Sequence, residues 1–374
     1  MVFGLFKNKK KENQKSDKAK DSRYHTLKVR EVVNVTSDAV NVIFEKPEGD
    51  FNYLPGQFIT LIFTIDGKKV RRAYSLCTTP GVDEHPAVTV KRVLGGLVSN
   101  YVNDHIKAGD SLEIMEPMGM FTTEYNVDNE RHLVMVGGGS GITPLFSILK
   151  ATLAREPNSR VSLIYANRNE NSIIFREELD RLEHEQKGRF SIVHVLDAAP
   201  GDWTGHRGML SNENLKAIIN GLPKHGKVTE YFTCGPQPLM DIVFDSLNEL
   251  EIPLEYRYRE SFVAGKTSPD IITEGGENSN SDAESRQVSV IVDGEKYEFA
   301  VPAGKSILEA GLEADVDMPY SCQSGLCTAC RAKCHSGKVS VDEADGLSQT
   351  ELEDGYVLTC VGKALSDDIE LEVG

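Results

Sequence analysis

The sequence predicts a multidomain chain: an antiparallel β-barrel, a parallel-sheet α/β domain and a smaller α+β domain, in that order. Three observations carry this. At 374 residues the chain exceeds one ordinary domain of about 150 residues. Its apolar pattern changes near residue 127, from short alternating runs to continuous runs interleaved with helical ones. A polar stretch, residues 263–286, then sets off a last segment in which four of the seven cysteines fall within thirteen residues.

Residues 1–23 form a basic tail, with seven Lys against Glu12 and Asp17 in the first 20 positions. The plain reading is a solvated tail; weak contact with anionic lipid through the lysines and the apolar tip "MVFGLF" is the alternative. Across residues 24–126, "HTLKVREVVNV", "VNVIFEK", "FITLIFTI" and "AVTVKRV" alternate between Gly, Pro and Asp breaks, as strands of an antiparallel barrel or sandwich do. Residues 127–262 alternate "HLVMVGG", "VSLIYANR", "FSIVHVL" and "EYFTCGP" with the helical patterns "TPLFSILKATLAR", "REELDRLEHEQ" and "NENLKAIING", which argues for a parallel sheet wound with helices. Residues 263–286 lack aromatic residues and apolar periodicity and read as a linker, about 27 Å end to end as a flexible coil. In residues 287–374, "QVSVIVDGEKYEFAVPAG" reads as a strand pair turning at Asp293–Gly294, "KSILEAGLEADV" as a helix, and a cysteine loop follows.

Composition narrows the function classes. With 40% apolar and 26% charged residues and a net charge of −16, the chain reads as globular and offers nucleic acid no basic face. The apolar tip is too short for a signal-peptide core or a transmembrane segment, so a cytoplasmic location is expected. An odd number of cysteines concentrated in one segment fits metal ligation in a reducing compartment better than a disulfide framework. Residues 287–374 carry 17 Asp/Glu against 6 Lys/Arg, an acidic surface suited to a basic partner.

In "VMVGGGSGITPLFSIL" a buried strand runs into Gly137, Gly138, Gly139 and Gly141 and then a helix; such a turn lets backbone N–H groups approach a phosphate, and a packing role is the alternative. "RRAYSL" puts Arg72 and Tyr74 on one strand face, and "VKRVLGGLVSNYV" supplies Gly95, Gly96 and Ser99, a second loop able to open a helix against phosphate; the alternatives are Arg72 as a surface charge, Tyr74 as core and Gly95–Gly96 as a hairpin turn.

Arg-x-Tyr-Ser, Gly-Gly-x-x-Ser, GGGSGITP and "TCGP" in this order resemble the ferredoxin–NADP reductase superfamily over residues 24–262. The resemblance implies an FAD-binding β-barrel at 24–126 and an NAD(P)-binding α/β domain at 127–262. Arg72 would neutralise the flavin phosphates, Tyr74 would lie against the isoalloxazine and Ser75 would hydrogen-bond near its reactive edge. Gly96, Leu97, Val98 and Ser99 would bind the pyrophosphate, with Lys91 also among the cofactor-binding residues. Gly138, Gly139, Ser140, Gly141 and Thr143 would receive the dinucleotide, and Cys234, Gly235 and Pro236 would sit where nicotinamide meets flavin. Glu260 and Phe262, in "YRYRESF", would lie near the flavin; Tyr74, Ser75, Cys234 and Glu260 are the expected catalytic set. Arg168, ending "VSLIYANR", suits the 2′-phosphate of NADPH, whereas Glu170 would favour NADH; NADPH is the favoured of the two.

The spacing Cys322-x4-Cys327-x2-Cys330, with Cys360 after twenty-nine further residues, matches the plant-type [2Fe–2S] arrangement. The bacterial run would need cysteine at Ser324 and proline at His335. Structural zinc usually brings two separate knuckles, whereas here three candidate ligands crowd one loop. Cys334 falls outside the pattern and reads as a small buried hydrophobe. Residues 287–374 resemble the plant-type ferredoxin β-grasp domain.

The complete order resembles the reductase components of multicomponent oxygenases, among them those of phenylacetyl-CoA epoxidase, steroid hydroxylases and acyl desaturases. It implies electron flow from NAD(P)H to FAD to [2Fe–2S] to a non-haem iron oxygenase, hydroxylase or desaturase. A stand-alone NAD(P)H diaphorase or oxidase, and a non-enzymatic metal-binding or scaffold protein, are the alternatives.

Overall fold

The computed structural model describes residues 23–47, 51–262, 285–342, 344 and 346–373. The basic tail, apart from Arg23, and nearly all of the proposed linker lie outside the described residues. The linker reading ends one residue late, because Arg286 already opens a strand.

The first unit is a six-stranded antiparallel sheet in the order β4-β3-β6-β1-β2-β5. Its strands are β1 (Tyr24–Thr36), β2 (Ala39–Phe44), β3 (Phe58–Ile65), β4 (Lys68–Ser75), β5 (Ala87–Lys91) and β6 (Ser111–Met118), with α1 (Leu97–His105) between β5 and β6. Past the end of β4, Leu76 bridges to Val88 of β5, and Cys77 N–H donates to the Ala87 carbonyl at 3.0 Å, so the sheet curls toward closure. Alternation fills the interior with Leu27, Val42, Phe44, Ile59, Leu61 and Ile114, all buried.

The second unit is a parallel sheet in the order β10-β9-β8-β7-β11-β12. It comprises β7 (Arg131–Gly138), β8 (Arg160–Asn167), β9 (Phe190–Leu196), the short β10 (His206–Arg207), β11 (Val228–Gly235) and β12 (Arg257–Ser261). Four helices accompany it: α2 (Ile142–Arg155), α3 (Arg176–Glu185), α4 (Asn212–Gly221) and α5 (Gln237–Glu249). β7 is buried along its whole length, as its continuous apolar run requires of a strand covered on both faces.

The third unit is a five-stranded mixed sheet in the order β14-β13-β17-β15-β16. Its elements are β13 (Arg286–Val292), β14 (Glu295–Val301), α6 (Ile307–Glu313), β15 (Arg331–Ser336), α7 (Gln349–Glu353), β16 (Tyr356–Leu358) and β17 (Ile369–Val373). Asp293 and Gly294 both take positive φ, 51° and 77°, the conformation a two-residue hairpin turn demands. Ser306 caps α6 and Glu309 reaches back to the Ser306 N–H at 2.8 Å, a reciprocal capping box. Cys334 lies on β15 against this core but only half-buried, and its thiol donates to the Ser336 carbonyl at 3.2 Å. The strand is irregular there: its pairing with β17 shifts register between Cys334 and Ser336.

Candidate functional site

Strand β4 brings different chemistry to its two faces. Val70 and Tyr74 pack toward the barrel interior, and burial pushes the Tyr74 phenol up, opposed by neighbouring Arg72. Ala73 joins a separate apolar cluster on the opposite face. Arg72 donates to the Arg71 carbonyl at 2.8 Å, and at the end of the strand the buried Ser75 hydroxyl donates to Glu260 Oε2 at 3.2 Å.

Glu260 reaches Ser75 from the other domain. It lies on β12, in register with Cys234 of β11. Burial pushes its carboxyl up to about 8; the Ser75 hydrogen bond opposes this and the charge of nearby Cys322 adds to it. Burial also pushes the Cys234 thiol up, with Glu260 adding to the effect. Arg72, Ser75, Glu260, Phe262 and Cys322 line one cleft of about 360 Å³. Thus residues widely separated in sequence, from all three units, meet in one place. Tyr74 does not line this cleft, nor does the loop from Gly96 to Ser99.

That loop opens α1, with Gly96 at the cap, Leu97 exposed and Val98 buried in the barrel core. Ser99 Oγ accepts from the Val93 N–H at 3.1 Å and Asn100 donates to the Gly96 carbonyl at 2.7 Å, so the turn is braced from within.

The glycine-rich turn follows β7. A Cβ at Gly141 would lie 2.1 Å from the Cys234 carbonyl oxygen, so only glycine lets this turn press on the end of β11. The contact sets Gly138 beside Gly235 and Pro236. Thr143 Oγ1 donates to the Ser140 carbonyl at 3.0 Å, and Tyr165 donates to the Gly139 carbonyl at 2.8 Å. Lys91, at the end of barrel strand β5, reaches within 3.9 Å of where a Gly139 Cβ would stand. Arg168 is exposed beyond β8, and Glu170 pairs with Arg176 at 2.5 Å.

Three cysteines of the third unit share an irregular loop, and the fourth is brought to it by backbone bonds. Thr359 donates to the Cys330 carbonyl through both its N–H and its hydroxyl, each at 3.1 Å, which fixes Cys360 beside that loop. The Cys322 thiol interacts with Cys327 and Cys360, and Cys360 with Cys330. Hydrogen bonds from its two thiol neighbours pull Cys322 well down, and the same bonds push Cys327 and Cys360 up. The Ser324 N–H points to Cys322 Sγ at 3.5 Å. Among the described residues no three His, Cys, Asp or Glu side chains meet as a single-ion site. A donor set made only of thiols, touching in pairs and met by an inward N–H, fits a two-iron cluster.

Sequence reasoning missed what lies under this loop. Thr60 Oγ1 and Ser321 Oγ share a hydrogen bond, and Arg71 pairs with Asp317 at 2.7 Å. Strand alternation does place Arg71 on the face opposite Tyr74. What covers that face comes from a remote part of the chain, beyond the reach of local pattern.

Comparisons with known proteins match each of the three units. An oxidoreductase FAD-binding domain model matches residues 26–123, an oxidoreductase NAD-binding domain model residues 135–245, and a 2Fe-2S iron-sulfur cluster binding domain model residues 290–365. The chain is 35% identical to the ferredoxin reductase component of 3-ketosteroid-9-alpha-monooxygenase from Rhodococcus rhodochrous, over 94% of this chain and 97% of that protein. It is 33% identical to one of the subunits of 1,2-phenylacetyl-CoA epoxidase from Escherichia coli (strain K12), over 93% and 97%. Among solved structures, phthalate dioxygenase reductase, described as modular for electron transfer from pyridine nucleotides to [2Fe-2S], superposes with a TM-score of 0.55 at 25% identity. That match covers 94% of this chain and 97% of that one.

Proposed function

Because the chain belongs to the family of oxygenase reductase components that join FAD-binding, NAD-binding and [2Fe–2S] domains, we propose that its cleft couples a two-electron donor to a one-electron carrier. When bound, FAD accepts an electron pair as hydride and the cluster passes electrons singly. The observation that carries this reading is the meeting of Ser75, Glu260 and Cys322 in one cleft. Arg72, Tyr74, Ser75, Lys91, Gly96, Leu97, Val98, Ser99 and Phe262 would hold FAD. Gly138, Gly139, Ser140, Gly141, Thr143, Cys234, Gly235 and Pro236 would receive the dinucleotide, and Cys322, Cys327, Cys330 and Cys360 the cluster.

The residues' own chemistry supports these roles. A Glu260 carboxyl that stays largely protonated at neutral pH offers an O–H donor and no charge beside the cleft. Glu170 is held by Arg176, which weakens its claim on a ribose hydroxyl and leaves Arg168 to favour NADPH. The expected acceptor is a non-haem iron oxygenase, hydroxylase or desaturase that presents a basic surface to the acidic third domain. A cytoplasmic setting suits seven unpaired cysteines, and among the described residues no helix is long and apolar enough to cross a membrane.

Cys322→Ser tests the route: it should remove the cluster's absorption and reduction of a protein acceptor, yet spare flavin reduction by coenzyme. Undiminished acceptor reduction would refute it. For coenzyme choice, kcat/KM for NADPH should exceed that for NADH, and Arg168→Ala should lower it by roughly tenfold or more, as loss of a charge-assisted phosphate contact does. A wild-type preference for NADH would overturn the Arg168 assignment.

A further inference from the structure

Arg71 is one of the largest fully buried side chains among the described residues, at 1% exposure. A guanidinium rarely goes so far from water without paired partners. Its partners come from the third domain. Arg71 Nη2 meets Asp317 Oδ1 at 2.7 Å, and the guanidinium lies over the Tyr320 ring, 5.3 Å from its centroid. Its own backbone N–H points at the Tyr320 hydroxyl at 3.4 Å, and Lys69 approaches the other Asp317 oxygen at 3.5 Å. Arg71 Nε, also buried, has no hydrogen-bond partner among the described residues. The charge is therefore compensated by one carboxylate and one aromatic face, both supplied by the segment that leads into the cysteine loop.

The rest of the contact is one hydroxyl pair and an apolar cluster. Thr60 meets Ser321, and Phe58, Ile62 and Met115 pack on Cys327 and Ala329. Asp317 keeps 56% of its side chain exposed, so the ion pair sits at the rim and the guanidinium beneath it.

We propose that Arg71, with Asp317 and Tyr320, forms the latch that seats the cysteine domain against the flavin end of the barrel, which makes Arg71 a positioning residue for electron transfer from flavin to cluster. The proposal rests on the functional reading above. In the step concerned, one electron leaves reduced flavin and enters the oxidised cluster; NAD(P)H is the reductant. No bond to Arg71 forms or breaks. Charge is the sensitive element, because an apolar residue at position 71 would also escape the cost of burying a cation, whereas loss of the carboxylate leaves that cation buried and unpaired.

The test therefore reverses Asp317 in the full chain. Asp317→Lys should slow cluster reduction, followed by stopped-flow absorbance, at least tenfold while flavin reduction by coenzyme stays within twofold of wild type. Hydrogen exchange, read with or without cofactors, should rise in segments 57–63 and 319–330 and stay unchanged across α2. The double variant Arg71→Glu with Asp317→Lys should recover part of the rate and part of the protection. Wild-type exchange and cluster reduction in Asp317→Lys would overturn the latch; so would a double variant no better than the single. A chain that binds neither flavin nor cluster overturns the functional reading and the positioning role with it, and the exchange data then judge the contact alone.

Discussion

Where the barrel meets the α/β domain, Ala39, Cys77, Ala87 and Phe121 merge into the same buried cluster as Leu145, Ile148 and Phe232. Thr79 Oγ1 donates to the Ser147 carbonyl at 2.7 Å, Ser147 Oγ to the Thr78 carbonyl at 2.6 Å, and Lys150 pairs with Asp83 at 2.6 Å. Where the barrel meets the cysteine domain, five buried apolar residues, with Tyr24, Ala73, Met118 and Cys322 partly buried against them, share the contact with one ion-paired guanidinium and one hydroxyl pair. The first surface is continuous with a large domain core, whereas the second is a separate, smaller apolar cluster with a buried, ion-paired cation in the same contact. The difference matches the two transfers expected here. Hydride transfer needs nicotinamide and flavin held in one fixed geometry, whereas passing single electrons to the cluster forms no bond between the two groups.

The broad surface is the easier one to break by a cavity. Phe121→Ala removes a ring that lies edge-on to Phe232 at 5.8 Å and should cost about 3–5 kcal/mol, measured by denaturant unfolding. If the two domains share a core, the barrel and α/β signals shift together; separate transitions would show that they do not.

Acid sharpens the contrast from another side. His132, buried at the start of β7 beside Ser162, is pulled down to about 4 chiefly by burial, so the native state favours the neutral ring. The unfolded chain then binds the extra proton between pH 6.5 and 4, and stability is full above 6.5 and falls as pH drops through that window. His132→Asn should flatten this acid limb in pH-dependent melting, whereas an unchanged limb would assign it to other groups. The Arg71–Asp317 contact is not expected to follow His132.

Lys69→Ala is the mildest probe. Its pair with Asp317 is exposed, so the loss should be about 1 kcal/mol or less and cluster reduction should change less than twofold. A large effect would move the latch's centre from Arg71 to the rim.

Much of this was legible in the sequence, for physical reasons that vary by region. Alternation exposed the barrel strands, and continuous apolar runs exposed the parallel ones, because burial on one or two faces writes directly into side-chain period. The grouping of the cysteines was legible because three sulfurs come from one loop, while Cys360 needed Thr359 to bring it back. The Gly141 requirement was visible as a glycine but not as a contact with Cys234, since that contact is tertiary. "RRAYSL" directed attention to Arg72 and passed over Arg71. Alternation separates the two arginines, yet only the fold shows that Asp317 and Tyr320 cover the second face. Cys334, read as buried, is half-buried, next to a register shift in its strand's pairing with β17.

The most direct measurement of the central claim is the order of reduction in the full chain after rapid mixing with NADPH, with flavin followed by absorbance and cluster by freeze-quenched electron paramagnetic resonance. Flavin bleaching should come first, with the reduced-cluster signal growing afterwards, and Cys322→Ser should keep the first phase and lose the second. Cluster reduction that precedes flavin bleaching, or persists when flavin has been removed, would contradict the proposed path.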